Sequence, residues 1–451
     1  MEKIPNKSHV LVLPYPAQGH INPMVQFSKR LTSRGVKVTL VTTNSVSKNM
    51  PKESGSFKIE SINPHDDDDD SPPPEKLDES IVWFFNLVSK NLGAIVEKLS
   101  DSEYPVKALV FDSVFTWAID LAHQLGLKGA AFFTQSCSLS AIYYHMDPEK
   151  SEIPLDGSDV SLPSLPLLEK EDLPSFIYES DLYPTLSGFI FGQNINFKKA
   201  DWLFFNTFDA LEKEVIDWIR ARYPIKIIGP TIPSMYLDKR LKDDKEYGLS
   251  LFKPNSETCM KWLDSRETGS VVYVSFGSLA SLGEQQMEEL AWGLMMSDCY
   301  FLWVVRATEQ NKLPEEFMSK AKEKGLIVNW CPQLDVLSHR AVGCFFTHCG
   351  WNSTLEAHSL GVPMVAMPQW SDQPTNAKFI RDVWQTGLRV KAGENGVVNR
   401  DEIASSIREV MEDEKGVMLK ENAIKWKKLA KEAVDEGGSS DKNIEEFLSN
   451  L

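Results

Sequence analysis

The chain has 451 residues, of which 42% are hydrophobic and 25% are charged, so it is long enough to bury the cores of two ordinary domains. A formal net charge of −16 argues against nucleic acid or an anionic membrane surface as a partner. The N-terminal apolar run is too short for a signal peptide, and no apolar run reaches the roughly eighteen residues that a membrane span needs. The six cysteines are scattered without a CxxC pair, which is typical of free thiols. We therefore expect a cytoplasmic protein without zinc, disulfides or a membrane span.

Strand-like and helical runs alternate through the first half of the chain. The first such unit is a strand over 9–15, a turn in AQGHI, and a helix from Pro23 to about Ser33 that ends before Gly35. Proline in the first turn of a helix and glycine just past its end are common in proteins. This alternation predicts a parallel sheet covered by helices. The predicted strands are HVLVLPY, VKVTLVTT, FKIESI, VKALVFD, GAAFFT, DWLFFNTF and IKIIGP.

The same pattern starts again in the second half, with the predicted strands SVVYVSFGS, FLWVV, GLIVNW, GCFFTH and VPMVAMP. Between the halves, two prolines and the charged stretch LDKRLKDDKEYG show no clear period, which is typical of a linker. The pattern therefore predicts an α/β fold with one domain over 1–235, a linker over 236–258 and a second domain over 259–436. Residues 437–451 should form a short C-terminal helix.

Residues 65–76, HDDDDDSPPPEK, are of low complexity. The segment is too polar and too rich in proline to be buried, so we interpret it as a mobile loop. The aspartate run matches a D-x-D metal motif and an H-x-x-x-D acyltransferase motif. Any run of aspartates produces both matches, and we assign no function to either.

The segment from Trp330 to Gln373 is the most informative about function. Two short buried strands in it, GCFFTH and VPMVAMP, each lead into polar or aromatic side chains. A helix is predicted between them, with Asn352 or Ser353 able to cap its start and Gly361 ending it. Ligands of open α/β sheets bind at the carboxyl ends of the strands, and a helix N-terminus there suits a phosphate. The pattern therefore predicts a site for a phosphorylated small molecule.

This segment resembles the signature box of the plant UDP-dependent glycosyltransferases of secondary metabolism. It opens on Trp, closes on Gln and spans 44 residues (373 − 330 + 1), and it contains HCGWNST and WSDQ. GHINP near the start and GGSS near the end extend the resemblance over essentially the whole chain. The resemblance implies the GT-B fold, in which two Rossmann-like domains face each other across a cleft and a C-terminal helix packs back on the first domain. It also implies sugar transfer from a UDP-sugar to a small lipophilic acceptor.

The candidate catalytic pair is His20 and Asp112. His20 follows the first predicted strand, and Asp112 ends the strand VKALVFD. The imidazole of His20 can accept the proton of an attacking hydroxyl, and a carboxylate on its other ring nitrogen fixes the tautomer. The family uses a histidine and an aspartate at the matching positions.

The resemblance also assigns the groups that bind the donor. In the family the opening Trp stacks on uracil, the following Gln and the box Glu lie at the ribose, and the closing Asp and Gln bind the sugar hydroxyls. The helix start, a histidine and serine hydroxyls hold the diphosphate without a metal ion. The donor-binding residues implied here are Ser278, Trp330, Gln333, His348, Trp351, Asn352, Ser353, Glu356, Trp370, Asp372 and Gln373.

We therefore expect an inverting O-glucosyltransferase that uses UDP-glucose as a co-substrate, needs no metal or other cofactor, and acts as a monomer. The linker and tail are similar to those of the group that glycosylates terpenoids, steroids and small acids. A hydroxyl of a steroid or triterpenoid is the leading acceptor. Two alternatives stay open: glucose ester formation on an aromatic or diterpene carboxylic acid, and a non-catalytic relative that only binds ligands.

Overall fold

The computed structural model describes residues 8–48, 57–62, 74, 76–100, 103–146, 157–248 and 254–451. Most of the acidic, proline-rich segment predicted to be a mobile loop lies outside these residues. The described chain divides into two compact units. The first lies within 1–170, 176–251 and 432–451, and the second lies within 171–175 and 252–431.

The first unit contains a parallel sheet of seven strands in the order β3-β2-β1-β4-β5-β6-β7. Its central strands are mostly apolar and almost entirely buried, because helices cover both faces of the sheet. Val10 and Val12 belong to the hydrophobic core on one face, whereas Leu11 and Leu13 belong to the core on the other. The strands are β1 (His9–Leu13), β2 (Lys37–Thr43), β3 (Lys58–Ile62), β4 (Val106–Asp112), β5 (Lys128–Phe133), β6 (Trp202–Phe205) and β7 (Ile225–Ile227).

The second unit contains a parallel sheet of six strands in the order β10-β9-β8-β11-β12-β13. Its strand order repeats that of the first six strands of the other sheet. In each sheet the chain runs outward from the first strand and then returns to continue on the opposite side. This reversal makes a switch point between β1 and β4 and another between β8 and β11. The strands are β8 (Val271–Ser275), β9 (Tyr300–Val304), β10 (Gly325–Val328), β11 (Val342–Thr347), β12 (Met364–Ala366) and β13 (Gly387–Arg389).

Helices connect successive strands, as parallel pairing requires. The helices of the first unit before the linker are α1 (Gln18–Thr32), α2 (Asn44–Ser47), α3 (Leu77–Ser100), α4 (Ala118–Gln124), α5 (Cys137–His145), α6 (Phe176–Glu179), α7 (Pro184–Gly192), α8 (Asn194–Lys199) and α9 (Lys213–Arg220). The following helices are α10 (Ser256–Asp264), α11 (Glu284–Met296), α12 (Glu315–Lys320), α13 (Gln333–Ser338), α14 (Trp351–Leu360), α15 (Gln373–Lys378), α16 (Arg400–Met411), α17 (Glu414–Val434) and α18 (Ser439–Ser449). Short 3₁₀ turns cover Lys170–Asp172, Ser180–Leu182, Ser234–Tyr236, Gln310–Lys312 and Ala321–Glu323, and a π-helical turn covers Phe379–Val383.

The expected pair of parallel α/β sheets is confirmed, but the start of the first helix differs from the prediction. The helix begins at Gln18, and Pro23 lies inside it. A proline removes one backbone hydrogen bond from a helix and disfavours helical geometry before it, so the sequence predicts a helix that starts at Pro23. Here the apolar residues Ile21, Met24 and Val25 are fully buried, and their packing outweighs that cost.

Charged residues of the predicted linker are bound to α1 within the first unit. Lys29 pairs with Asp244 at 2.7 Å, and Arg30 pairs with Asp238 at 2.9 Å. Two of the three aspartates of LDKRLKDD, Asp238 and Asp244, are therefore counter-ions for basic residues of α1. This arrangement explains why described linker residues up to 248 belong to the first unit.

The C-terminal helix α18 also belongs to the first unit. The ring of Phe447 is fully buried and lies 5.0 Å from the ring of Phe204 and 5.4 Å from that of Trp202, measured between centroids. Ser440 donates a hydrogen bond to the carbonyl of Gly229 at 2.6 Å. None of the helices in the described part of the chain combines the length and apolar character that a membrane crossing requires.

Replacing Phe447 by Ala should destabilise the first unit strongly, because a buried aromatic ring is lost and a cavity remains. We expect a loss of about 3–5 kcal/mol in the free energy of unfolding of this unit. The neighbouring Glu446 forms an exposed ion pair with Lys226, so Glu446→Ala should cost less than about 1 kcal/mol. Urea unfolding followed by tryptophan fluorescence measures both, and equal effects would contradict this packing.

Candidate functional site

The first switch point brings together His20 and Asp112, which are 92 residues apart in the chain. His20 is the third residue of α1, directly after the turn that follows β1, and Asp112 is the last residue of β4. The Nδ1 atom of His20 lies 2.6 Å from Oδ2 of Asp112. The His20 side chain is 31% exposed, whereas that of Asp112 is fully buried. A solvent-accessible imidazole is therefore oriented by a carboxylate that water does not reach.

Surrounding groups hold this pair in one geometry. The backbone N–H of Val114 donates to Oδ1 of Asp112 at 3.2 Å, and Oγ1 of Thr134 lies 3.1 Å from Nδ1 of His20. Because Nδ1 faces the carboxylate, the neutral ring carries its proton on Nδ1 and its lone pair on Nε2. The ring of Tyr15 packs edge-on against His20 at 5.2 Å. Burial and the charge of Asp112 raise the pKa of Tyr15 to about 12, so its phenol stays neutral.

The second switch point places His348 against two glycines. Gly277 has φ of +70°, and a Cβ atom there would lie 2.7 Å from Nε2 of His348. A Cβ at Gly350 would lie 2.8 Å from the same atom. Burial, together with the nearby charge of Arg306, lowers the pKa of His348 to about 4, although the backbone of Ser275 opposes this. The imidazole is therefore neutral at physiological pH, and only glycine fits on either side of it.

The helix α14 begins one to two residues before its predicted cap. Gly350 precedes its first residue in extended conformation, so Asn352 and Ser353 are the second and third helical residues. The turn is made by Cys349, whose φ is +55° and whose N–H donates to Oγ1 of Thr347 at 3.0 Å. That left-handed residue turns the chain into the helix without a side-chain cap. The predicted end at Gly361 is confirmed, with φ of +70°.

A partly buried hydrogen-bonded network links the residues expected at the ribose. Nε2 of Gln333 donates to Glu356 at 2.6 Å and to Oγ of Ser353 at 3.1 Å. Oε1 of Gln333 accepts from the hydroxyl of Tyr273 at 2.9 Å. The tyrosine also lies 3.2 Å from Sγ of Cys331. The Gln333 amide is thereby fixed in orientation, and it holds the carboxylate of Glu356 in place.

The turn over 369–373 is organised by its own glutamine. Oε1 of Gln373 accepts two backbone hydrogen bonds, from Gln369 at 2.8 Å and from Trp370 at 3.0 Å. Only the oxygen can face two N–H donors, so the amide orientation is fixed and Nε2 is the group left to donate elsewhere. Asp372 accepts from Nδ2 of Asn376 at 2.7 Å, and the same amide donates to the carbonyl of Cys349 at 2.9 Å. Asn376 thus ties this turn to the turn that precedes α14.

The other predicted donor residues lie on the same strand ends and turns. Trp330 follows β10 and is half-buried, and its carbonyl accepts from Asn255. Trp351 is buried, with its ring 6.1 Å from that of Trp384, so only its backbone is placed to contact a ligand. The carbonyl of Ser278 accepts a hydrogen bond from the guanidinium of Arg306.

Several organising residues were missed by sequence reasoning. Tyr15, Thr134, Tyr273, Arg306 and Asn376 all contact predicted site residues. Of these, only Asn376 had a detectable signal, since it lies three residues beyond the closing glutamine of the signature box. The others reach the site through strand pairing or loop packing, which no local pattern encodes.

Comparison with known proteins agrees with this architecture. Two parallel sheets of this order, each covered by helices, define the GT-B class of glycosyltransferases. The structure of Os79 from O. sativa in complex with UDP superposes with a TM-score of 0.90 and 37% identity over 98% of this chain and 99% of that one. UGT2 of Phytolacca americana, complexed with UDP-2fluoro-glucose and pterostilbene, gives a TM-score of 0.83 and 29% identity over the same shares.

Sequence comparison identifies the family. The model described as "UDP-glucoronosyl and UDP-glucosyl transferase" matches residues 206–434, and the glycosyltransferase N-terminal domain matches residues 6–222. Mogroside I-E synthase of Siraitia grosvenorii is 50% identical over 100% of this chain and 99% of its own length. UDP-glucosyltransferase 74AE2 of Panax ginseng is 50% identical over 99% of each. The chain belongs to the plant UDP-glycosyltransferase family, and it is an enzyme that transfers a sugar from a UDP-sugar donor.

His358, on the buried side of α14, gives a testable pH dependence. Its Nδ1 atom lies 2.8 Å from the carbonyl of Thr354, and burial lowers its pKa from 6.5 to about 4. Between these pH values the unfolded chain binds a proton that the folded protein does not, so stability falls as the pH is lowered. The full difference in pKa between the unfolded and the folded state corresponds to about 3 kcal/mol in the free energy of unfolding.

The variant His358→Gln should therefore lose less stability than the parent protein when the pH is lowered from 6.5 to 4. Thr386→Val removes the hydroxyl that lies 3.4 Å from Nε2 of His358 but keeps the imidazole, so it should retain the parental slope. Urea unfolding at several pH values measures these slopes. A parental slope in His358→Gln would show that the buried imidazole is not the source.

Proposed function

We propose that the protein is an inverting O-glucosyltransferase that moves glucose from UDP-glucose to a hydroxyl group of a lipophilic small molecule of the steroid or triterpenoid type. The observation that carries the chemistry is the 2.6 Å contact between Nδ1 of His20 and the buried carboxylate of Asp112. In that tautomer Nε2 accepts the proton of the acceptor hydroxyl. The hydroxyl oxygen forms a bond to the anomeric carbon as the bond to the diphosphate oxygen breaks, and UDP leaves.

The leaving diphosphate gathers negative charge, which the second switch point is suited to stabilise. The start of α14 presents backbone N–H groups and the positive end of a helix dipole. The imidazole of His348 and the hydroxyl of Ser353 stand at the same end of the sheet. Fixed dipoles of this kind are effective in transition-state stabilisation, and we propose that they act without a metal ion. Addition of a chelator should then leave the rate unchanged.

Glucose is the proposed sugar for two reasons. The closing residue of the signature box is Gln373, and its fixed amide offers Nε2 as a donor to a sugar hydroxyl. An epimer at that hydroxyl would leave a buried polar group unpaired, which supports discrimination between hexoses. The ginseng relative is called a UDP-glucosyltransferase, and the Phytolacca structure holds a UDP-glucose analogue.

The acceptor proposal is supported by a relative and by aromatic residues near the catalytic pair. The 50% identical Siraitia protein is called a mogroside synthase. In the first unit, the partly exposed ring of Tyr15 lies beside His20 and packs on the buried Phe84, and the partly exposed Phe189 on α7 packs on the buried Phe85. Apolar and aromatic walls with a few polar groups are typical of sites for lipophilic ligands.

The proposal is tested by incubating the protein with UDP-glucose and a panel of sterols, triterpenoids, phenols and carboxylic acids, with products identified by mass. We expect hexose adducts on the polycyclic alcohols. In His20→Ala, transfer to alcohols should fall by about 10²–10⁴-fold while the affinity for UDP is kept. Transfer to carboxylic acids should suffer less, because a carboxylate needs no base.

The matched control is His123→Ala. His123 also pairs with an aspartate, Asp201 at 2.9 Å, but lies exposed and away from the switch point. The activity of His123→Ala should equal that of the parent protein. Undiminished transfer to alcohols in His20→Ala would refute the assignment of the base, and adducts on carboxylic acids alone would replace the proposed acceptor class with ester formation.

The glycine beside His348 provides a second test. In Gly277→Ala the new methyl group would meet Nε2 of His348 at 2.7 Å, and the residue would hold a left-handed φ, so the imidazole must move. We expect the Kd for UDP to rise at least about tenfold, equal to roughly 1.4 kcal/mol. Gly283→Ala is the control, because a Cβ there meets no atom within 4 Å. Calorimetric titration with UDP measures the Kd of both variants. Equal affinities in Gly277→Ala and Gly283→Ala would contradict the proposed role of His348.

A further inference from the structure

We propose that residues 171–175, here called the clamp segment, position the turn 369–373 and thereby set how well the enzyme holds the donor sugar. The segment lies in the chain between residues of the first unit, yet it is part of the second unit. The inference rests on the proposed function, in which Asp372 and Gln373 contact the sugar. Asp172 and Ser175 are then positioning residues that act through the turn.

Ser175 forms hydrogen bonds with both backbone groups of Ser371, the most strained residue of the turn. The N–H of Ser371 donates to Oγ of Ser175 at 2.8 Å, and the N–H of Ser175 donates to the carbonyl of Ser371 at 3.1 Å. Ser371 has φ of +63°, in the left-handed region that residues with a Cβ seldom adopt. Such a residue persists only where its surroundings impose the conformation. The two hydrogen bonds between Ser175 and Ser371 supply that constraint, one residue before Asp372.

Asp172 anchors the helix that follows the turn. Its fully buried carboxylate accepts from Nη1 of Arg389 at 2.6 Å and lies 3.1 Å from Nζ of Lys378. The hydroxyl of Thr375 donates to the backbone carbonyl of Asp172 at 2.7 Å. Lys378 and Thr375 both lie on α15, whose first residue is Gln373. The clamp segment therefore binds α15 at two positions in addition to the turn before it.

The consequence should be specific to the sugar. The groups expected at the ribose, Gln333 and Glu356, belong to α13 and α14 and are held by Tyr273 and Ser353. Asp172 and Ser175 bind instead to Ser371, to α15 and to Arg389. Loosening the clamp should therefore weaken contacts to the sugar much more than it weakens the affinity for UDP.

The test compares Ser175→Ala, which removes the acceptor for the Ser371 N–H, with Ser175→Thr, which keeps the hydroxyl. We expect KM for UDP-glucose to rise about 3- to 10-fold in Ser175→Ala, as the loss of one hydrogen bond implies. The Kd for UDP should change much less than KM does, and Ser175→Thr should keep KM at the parental value. Thr375→Val, which loses the hydrogen bond to Asp172 at constant side-chain volume, should act in the same direction. Glu171→Ala is the control, because that side chain is exposed.

A double-mutant cycle separates positioning from general stability. If Ser175 acts through the turn, Gln373→Ala should cost less in the Ser175→Ala background than in the parent protein. Additive losses, or a parallel rise in the Kd for UDP, would overturn the proposal. If the parent protein transferred another sugar but not glucose, the proposed donor would be wrong. The role of the clamp segment would then be tested by measuring KM for that UDP-sugar in Ser175→Ala and Ser175→Thr.

Discussion

Parallel strand pairing is the constraint on which both candidate sites depend. Strands that run in the same direction end at the same edge of a sheet, and a reversal of the winding direction leaves two neighbouring ends with connections that diverge. In the first unit these are the ends of β1 and β4, which places His20 beside Asp112. In the second unit they are the ends of β8 and β11, which places Gly277 beside His348. Neither pair could form from local structure alone.

The site groups are fixed in advance of any ligand, at a cost that the surrounding structure offsets. Two residues with side chains, Cys349 and Ser371, hold left-handed backbone conformations on either side of the proposed diphosphate and sugar sites. Each costs on the order of 1–3 kcal/mol. The N–H of Cys349 donates to Oγ1 of Thr347 and the N–H of Ser371 donates to Oγ of Ser175, and these hydrogen bonds hold the two residues in place. The amides of Gln333, Gln373 and Asn376 are likewise fixed by two or more partners each. Catalysis by oriented dipoles requires this kind of rigidity.

Much of the fold and of the candidate site could be predicted from the sequence, because the informative patterns are local. Apolar runs bounded by turn residues indicated nearly all strands, and the signature box indicated the family. The short strand β13 was not predicted, because its sequence GLR is too short to form an apolar run. The start of α1 differs from the prediction because proline is common in the first turn of a helix. The cap of α14 differs because a positive φ at Cys349 has no sequence signature. The binding of Asp172 to Lys378 and Arg389 joins residues about 200 positions apart, and it depends on the tertiary fold.

The central claim is that Asp112 orients His20 as the base at the first switch point. The most direct measurement is the kcat of Asp112→Asn with UDP-glucose and an alcohol acceptor, beside the Kd for UDP. An asparagine keeps the size of the side chain but does not stabilise the imidazolium that forms during transfer, and it can hold the wrong tautomer. The account predicts that kcat falls by about 10²-fold or more while the affinity for UDP is unchanged. A kcat equal to that of the parent protein would contradict it.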